Sequence, residues 1–289
     1  MEERKEYRYS GRHFSGDELE AIRTRIETTP KLNRWALSIW VCEQFGWRKP
    51  DGGLKDMSCR VALLRMEKDG LLRLPPPQRR NGNGKCKPKL TEATDPQSSI
   101  CLPAGKLGAL TFEIVKTKQS SILWNEYIER YHYLGYQPLP GAQLRYFVFA
   151  NQQLVALLGF GAAAWSLAPR DRWIGWTTSS RKIHLPQVVN NARFLILPWI
   201  ESKNLASRIL GRVSRRLASD WKARYQIEPL LMETFVDAQR FRGTCYRAAN
   251  WKHLGQTKGR GKKGPNKPSC PIKDIWVYPL RNNFRVFFL

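Results

Sequence analysis

Residues 232–251 read METFVDAQRFRGTCYRAANW. The opening alternates, so Glu233, Phe235 and Asp237 share one face of a strand and Met232, Thr234 and Val236 the other. Through Gly243 the chain passes into a helical run that carries Tyr246. A strand feeding a helix is the repeating unit of a layered α/β sheet. Two carboxylates on such a strand need a reason, because an unpaired buried carboxylate is costly. Glu233 is either ion-paired internally, with Arg193 of the apolar run "RFLILPWI" as a candidate partner, or a general base or metal ligand. Asp237 sits at the strand's exit, where open α/β sheets gather their ligands, and is read as chemical.

Working outward, the surrounding pattern is mixed. "ALTFEIVKT" reads as a strand and "SSILWNEYIERYHYLGY" as a helix that breaks at Gly135. "LRYFVFANQQLVALLGFGAAAW" reads as a hairpin around Asn151, Gln152 and Gln153. Leu205, Ile209, Val213, Leu217 and Trp221 recur every four residues and predict a long amphipathic helix. "DIWVYPL" reads as a last strand. Residues 107–289 therefore form an α/β (α+β) domain on a mixed sheet.

The first 77 residues are different. Ser15 and Glu18 predict a capping box, followed by Leu19, Ile22 and Ile26 at helical spacing. A second helix is expected over 31–45, with Trp35, Ile39 and Cys42 on one face, and a third over 56–69. "LLRL" then predicts a short strand before Pro75. Three helices and a strand outline a winged helix-turn-helix, on whose third helix Arg60, Arg65 and Lys68 would meet DNA. Residues 78–106, rich in Gly, Pro, Asn and Lys, read as a basic, flexible linker.

The chain carries 49 Lys and Arg against 24 Asp and Glu, a net charge of +25. Residues 1–75 hold 15 basic and 12 acidic side chains, residues 107–289 hold 28 and 10, so the excess lies in the second half. Such a balance selects a polyphosphate partner over a membrane. No apolar run approaches the roughly 20 residues of a spanning helix, and the N-terminus is not a signal peptide. Six scattered cysteines without a CxxC argue against zinc and fit free thiols in the cytoplasm. The stretch 256–268, "QTKGRGKKGPNKP", has five basic residues and no acid, so Lys258, Arg260, Lys262 and Lys263 are expected to track phosphates. Arg208 and Arg212 lie off the apolar stripe of the long helix. Arg170 and Trp173, in "AAAWSLAPRDRWIGW", either stack an unpaired base or belong to the core. His132 and Tyr133 end a helix at a glycine, where a histidine either caps the helix or serves as acid or base.

Several motifs recur in order: "YHYLGYQPLPGAQLRYFV", "RDRWIGW", "NNARFLILPWIESKNLASRIL", the opening stretch with its extension "KHLGQTKGRG", and "KDIWVYPL". Together they resemble the DruA family, named for the Druantia anti-phage defence system, whose relatives are also labelled transposases. The region from about 110 to 280 is more distantly similar to GNAT acyltransferases and, within them, to phage Mom-type enzymes that modify adenine in DNA. That resemblance implies acyl-CoA as a cofactor and a site of His132, Tyr133, Arg193, Ser207, Asp237 and Tyr246. Tyr246 would protonate the departing thiolate, and Lys203 and Asn204 would face the cofactor at a helix N-terminus. The usual glycine-rich phosphate loop is missing, because "ESKNLAS" has no glycine.

Three functions are therefore open: a GNAT-like enzyme modifying DNA, a Mg²⁺-dependent nuclease or strand transferase, and a non-catalytic DNA-binding subunit. The nuclease would use Asp171, Glu233 and Asp237 as ligands. The binding subunit would recruit a helicase or other defence component.

Overall fold

The computed structural model describes residues 7–78, 87–259 and 270–288, and the chain divides into two units, residues 1–83 and 84–289. In the first unit strands β1 (Tyr7–Tyr9) and β2 (Arg12–Phe14) form an antiparallel hairpin ahead of helices α1 (Gly16–Thr28), α2 (Arg34–Gln44) and α3 (Asp56–Lys68). The hairpin turn is the two-residue kind with positive φ at Ser10 (48°) and Gly11 (82°). The capping box at Ser15 and Glu18 forms as expected. On α2 the inward face is Leu37, Val41 and Cys42, while Trp35, expected inside, is 58% exposed.

The strand expected at "LLRL" does not form. Leu72 and Leu74 are buried, but among the described residues no second strand runs beside them. Their backbone is satisfied by side chains instead: Arg23 donates to the Leu71 carbonyl at 2.8 Å, and the Leu74 N–H donates to Glu67 at 2.9 Å. The small sheet of this unit lies before its helices, not after them.

The second unit is built on a seven-stranded mixed sheet in the order β3-β4-β5-β6-β7-β9-β8. Its strands are β3 (Leu110–Ile114), β4 (Gln143–Ala150), β5 (Gln153–Ala162), β6 (Val188–Ile196), β7 (Leu231–Asp237), β8 (Lys252–Gln256) and β9 (Lys273–Pro279). The helices are α4 (Lys118–Tyr131), α5 (Ala168–Ile174), α6 (Thr178–His184), α7 (Leu205–Tyr225) and α8 (Thr244–Ala248). The β4–β5 hairpin turns at Asn151 and Gln152, both at positive φ. Among the described strand pairs of this sheet only β6 and β7 run parallel, with α7 crossing over between them. The predicted stripe of α7 is buried from Leu205 to Trp221.

α7 reaches the face of the sheet that carries Tyr146 and Phe160, where Asp220 accepts from the Tyr146 hydroxyl at 2.9 Å. α4 covers the opposite face: a Cβ on Gly159 would come within 3.1 Å of the Trp124 ring and 3.2 Å of the Arg193 Cβ. Glycine at 159 is what lets helix and sheet meet that closely.

Residues 87–106, expected as linker, are tied to this unit. Glu126, buried on α4, accepts from the Thr91 N–H and from both Thr91 and Thr94 hydroxyls, and these donors hold its pKa below the usual carboxylate range against the effect of burial. Arg130 pairs with Asp95 at 2.5 Å, and the Ile100 N–H donates to the Trp199 carbonyl. The segment's composition suggested freedom because its partners lie far along the chain.

Glu233 is fully buried, and its partner is Arg170, not Arg193. Arg170 Nη1 donates to Oε2 at 2.7 Å, and the Ala164 N–H donates to Oε1 at 2.7 Å. Arg170 also holds Asp171 at 2.8 Å, which in turn takes Arg181 at 3.0 Å and the Trp176 indole N–H at 3.1 Å. Burial pushes the Glu233 pKa up and Arg170 opposes that shift. The network pins α5 and the approach to α6 onto β7. Arg170→Met, which strands Glu233 without a counter-ion, is expected to lower stability by about 3–5 kcal/mol. Arg170→Met combined with Glu233→Leu recovers much of that loss. Urea unfolding of the three proteins measures both, and a loss below about 1 kcal/mol for the single variant would show the pair to be dispensable.

A candidate active site where two strands part

β6 and β7 pair only from Val188 opposite Leu231 to Asn191 opposite Thr234. Beyond that rung β6 continues along β5 alone, so among the described residues its other edge, residues 192–196, has no strand partner. A β-bulge at Ala192 marks the parting: Gly159 faces Arg193 while Phe160 faces Asn191. The Asn191 side chain organises it. Its amide donates to the Arg193 carbonyl at 3.1 Å and its Oδ1 accepts from the Tyr246 hydroxyl at 3.1 Å. Thr234 closes the last rung by donating to the Asn191 carbonyl at 2.9 Å.

The gap is a cleft of about 640 Å³ through the sheet. On the α4 face it is lined by His132, Tyr133, Arg193, Phe235 and Asp237, and on the α7 face by Phe194, Ala206, Thr234 and Tyr246. Five expected site residues thus converge: His132, Tyr133, Arg193, Asp237 and Tyr246. Glu233, on the same face of β7 as Asp237, does not join them, because Arg170 holds it in an ion pair outside the lining. Ser207, Lys203 and Asn204 also lie outside the lining, and the Ser207 hydroxyl donates to the Asn204 carbonyl at 3.1 Å.

His132 is the C-cap of α4. The turn after it is fixed by Glu129, which accepts from the Tyr136 N–H at 2.7 Å across Gly135 (φ 58°). The Leu134 N–H donates to His132 Nδ1 at 3.2 Å, so the neutral ring carries its proton on Nε2. Burial, and then the Arg193 charge, lower the His132 pKa to about 4. Arg193 is half-buried, and burial holds its pKa below the ordinary guanidinium value. Its Nη1 donates to the Ala192 carbonyl at 2.8 Å, and among the described residues no carboxylate forms an ion pair with it. Asp237 is the one carboxylate among the described lining residues; its Oδ1 accepts from the Gln239 N–H at 3.1 Å and Arg240 stands 3.7 Å from Oδ2.

Tyr246 is buried in an aromatic nest, 5.1 Å from Trp251 and stacked 6.4 Å from Trp276. Burial raises its pKa, so its proton stays on the oxygen. Gly243 at the start of α8 (φ 66°) lies so near Trp276 that a Cβ would fall 2.8 Å from the ring. A side chain there would displace the ring that backs Tyr246.

The sequence reading missed Asn191, Phe194, Thr234, Phe241, Arg242 and Lys273. "NNARF" did carry a signal, since two amides at the start of an apolar strand need partners of their own.

The metal-site reading fails on geometry. Both Glu233 oxygens and both Asp171 oxygens are taken by nitrogen donors, and among the described residues no group of three His, Cys, Asp or Glu could hold a metal ion. Arg170 is withdrawn from any nucleic acid by the same network. Trp173 stacks on Phe284 at 5.1 Å with the Arg285 guanidinium 4.7 Å from its ring, so its faces are engaged internally. Arg208 donates to the Ala104 and Gly108 carbonyls. Arg212 and Lys258 are exposed, while Arg260, Lys262 and Lys263 lie outside the described residues. In the first unit Arg60 pairs with Asp56 at 2.8 Å, and Arg65 and Lys68 are exposed. The five described cysteines are free thiols, and among the described residues no helix is long and apolar enough to cross a membrane.

Several solved acetyltransferases are similar to part of this chain. One from Bacillus subtilis in complex with CoA is 10% identical, with 59% of this chain and 99% of that chain covered at a TM-score of 0.34. The spermidine/spermine N-acetyltransferase SpeG from Vibrio cholerae is 12% identical over 59% and 92%, with a TM-score of 0.39. The ribosomal-protein-S18-alanine N-acetyltransferase from Escherichia coli is 11% identical over 60% and 98%, with a TM-score of 0.35. No curated protein matches the chain. Residues 65–266, well over half of the chain, match the family model described as Druantia protein DruA, and the chain belongs to that family.

Proposed function

We propose that the second unit is an acyltransferase acting on DNA, with acyl-CoA as donor and a base amine as acceptor. The observation that carries this reading is the cleft through the sheet at Asn191, with a protonated tyrosine on one side and a carboxylate and a guanidinium on the other. The excess of basic residues in 107–289 supports a polyanionic acceptor. The exposed Arg65 and Lys68 of α3 support docking of duplex by the first unit, read as a winged-helix module.

The residues fit the thioester arm of acyl-CoA. Past Asn191 the unpartnered edge of β6 offers peptide N–H and C=O groups that can pair with an extended amide-bearing chain, as a sheet edge pairs with an added strand. When bound, the cofactor supplies an activated acyl carbon and a thiolate leaving group. Tyr246 holds a proton at its hydroxyl and now gives it to Asn191 Oδ1; turned to the leaving group, it is the general acid. Asp237 accepts the proton of the attacking amine. His132, neutral and donating from Nε2, orients the acceptor and does not act as a base. Arg193 receives negative charge on the acceptor.

A second reading, a non-catalytic DNA-binding subunit that recruits partner defence proteins, draws support from residues 100–108. They bond to the loop ahead of α7, with Glu201 N–H donating to the Ile100 carbonyl and Ala104 N–H to the Lys203 carbonyl.

The two readings separate in one experiment. Full-length protein is incubated with DNA and acetyl-CoA, and the nucleosides are weighed by mass spectrometry. The expected result is an acyl adduct that requires the donor and falls by about 10²-fold or more in Tyr246→Phe, with DNA affinity unchanged. Tight, salt-sensitive binding with no adduct under any condition would leave the recruiting subunit. Because the folded His132 pKa lies below the ordinary imidazole value of 6.5, the protein binds fewer protons there than the unfolded chain does. Stability is therefore unaffected above about pH 6.5 and falls as the pH drops towards 4. An NMR titration should find the His132 ring changing near about pH 4, and a midpoint near 6.5 would contradict the buried, cation-facing setting.

A further inference from the structure

The mouth of the cleft carries aromatic surface that the chemistry above does not use. Phe241 is 49% exposed, Tyr133 is 36% exposed and Leu134 is 41% exposed. The two rings meet edge to face at 5.4 Å, and the Arg240 guanidinium lies over Tyr133 at 5.3 Å. All three apolar residues line the cleft, as do Arg242 and Lys273. Phe241 follows directly from the turn that ends β7, where the Phe241 N–H donates to the Asp237 carbonyl at 2.9 Å. The platform is thus anchored to the same residue that supplies the carboxylate of the cleft.

Exposed aromatics of this size need a partner with flat apolar faces, and the cations around them need an anion. A membrane surface would meet the charge but would call for an apolar band, whereas this patch is one small shelf beside a polar cleft. An unpaired nucleotide meets both demands, because every base has a π-face and every link has a phosphate. A duplex does not, since its bases are stacked on each other and present only edges.

The Tyr133 ring is itself covered by the His132 ring at 4.9 Å and by Arg240, which leaves Phe241 as the exposed ring. Resting on the reading of this cleft as a DNA site, we propose that Phe241, braced edge-on by Tyr133, is a stacking platform for one unpaired base, with Arg240 and Arg242 on the flanking phosphates. The uncompensated Arg193 lies deeper on the same face and donates to acceptors on the ring edge. The platform selects single-stranded or extruded nucleotides for presentation to Asp237.

The test is equilibrium binding by fluorescence anisotropy with full-length protein and no acyl donor, so its outcome is independent of whether transfer occurs. The probes are a single-stranded oligonucleotide of about eight nucleotides, its fully abasic counterpart and the matching duplex. Phe241→Ala is expected to weaken the intact single strand about tenfold and leave the abasic strand unchanged. Phe241→Trp, which keeps a stacking face, should retain wild-type affinity. Arg240→Gln should weaken intact and abasic strands alike and reduce the salt slope by about one. Equal losses on both strands in Phe241→Ala, or none on either, would overturn the proposal, as would tighter binding of the duplex than of the single strand. Phe241 is half-exposed, so its variants should melt like the parent, and circular dichroism checks that.

Discussion

Everything in the second unit that resembles a site depends on two parallel strands that stop pairing. β6 and β7 share four rungs and then separate at Asn191 and Thr234. Two devices make the separation stable. The bulge at Ala192 turns β6 away, and the Asn191 side chain satisfies backbone that the lost pairing would strand, donating to the carbonyls of Arg193 and Gly159. An orphaned backbone group in this interior would cost about 1–3 kcal/mol. The same side chain accepts from Tyr246, so the tyrosine's position is set by the residue that opens the sheet.

Two arginines show how burial and chemistry divide the charge. Arg170 has no exposed surface and is matched on every side by Glu233, Asp171 and the Ala164 carbonyl. Such a matched cluster orders the chain around it and offers nothing to a ligand. Arg193 is half-buried, finds only a neighbouring carbonyl, and stands in the cleft. A guanidinium partly taken from water without a carboxylate is unfavourable by itself, and an anionic ligand would remove the penalty. His132 beside it feels the same field and stays neutral.

Much of this was legible in residues read alone. Period-two alternation in 232–237 located the strand and its two acidic positions, and period four located α7. Tertiary pairing was harder to see. That Glu233 needs an internal cation follows from burial, but choosing between Arg170 and Arg193 requires knowing which loop folds over the strand. Arg193 lies on the adjacent strand yet faces the gap, because the bulge shifts its register by one. The bulge itself has no mark in "NNARFLI" beyond two amides, and nothing in "AQRFRG" marks Phe241 as the neighbour of Tyr133. "LLRL" misled for a related reason: its apolar pattern is that of a strand, and only a missing neighbour keeps it from being one.

The two ends of the cleft are unequal in how firmly the chain prepares them. A phosphate bound at a helix N-terminus uses free backbone N–H groups and close approach, which is why glycine is common there. Ahead of α7, Glu201 already donates its N–H to Ile100, while the Trp199 and Lys203 carbonyls accept from Ile100 and Ala104. Arg208, the nearest cation on the helix, is spent on the Ala104 and Gly108 carbonyls. A pyrophosphate at that spot would find the one cation of the first turn of α7 already bonded to the chain. The opposite mouth is less self-bonded: Arg193 meets a neighbouring carbonyl but no carboxylate, and the Phe241 ring stays half-exposed beside Tyr133. On the acyl-transfer reading proposed above, the chain is more fully built at the acceptor end of the cleft than at the nucleotide end of a donor, and charge on such a donor would be met by cations other than those of the α7 N-terminus.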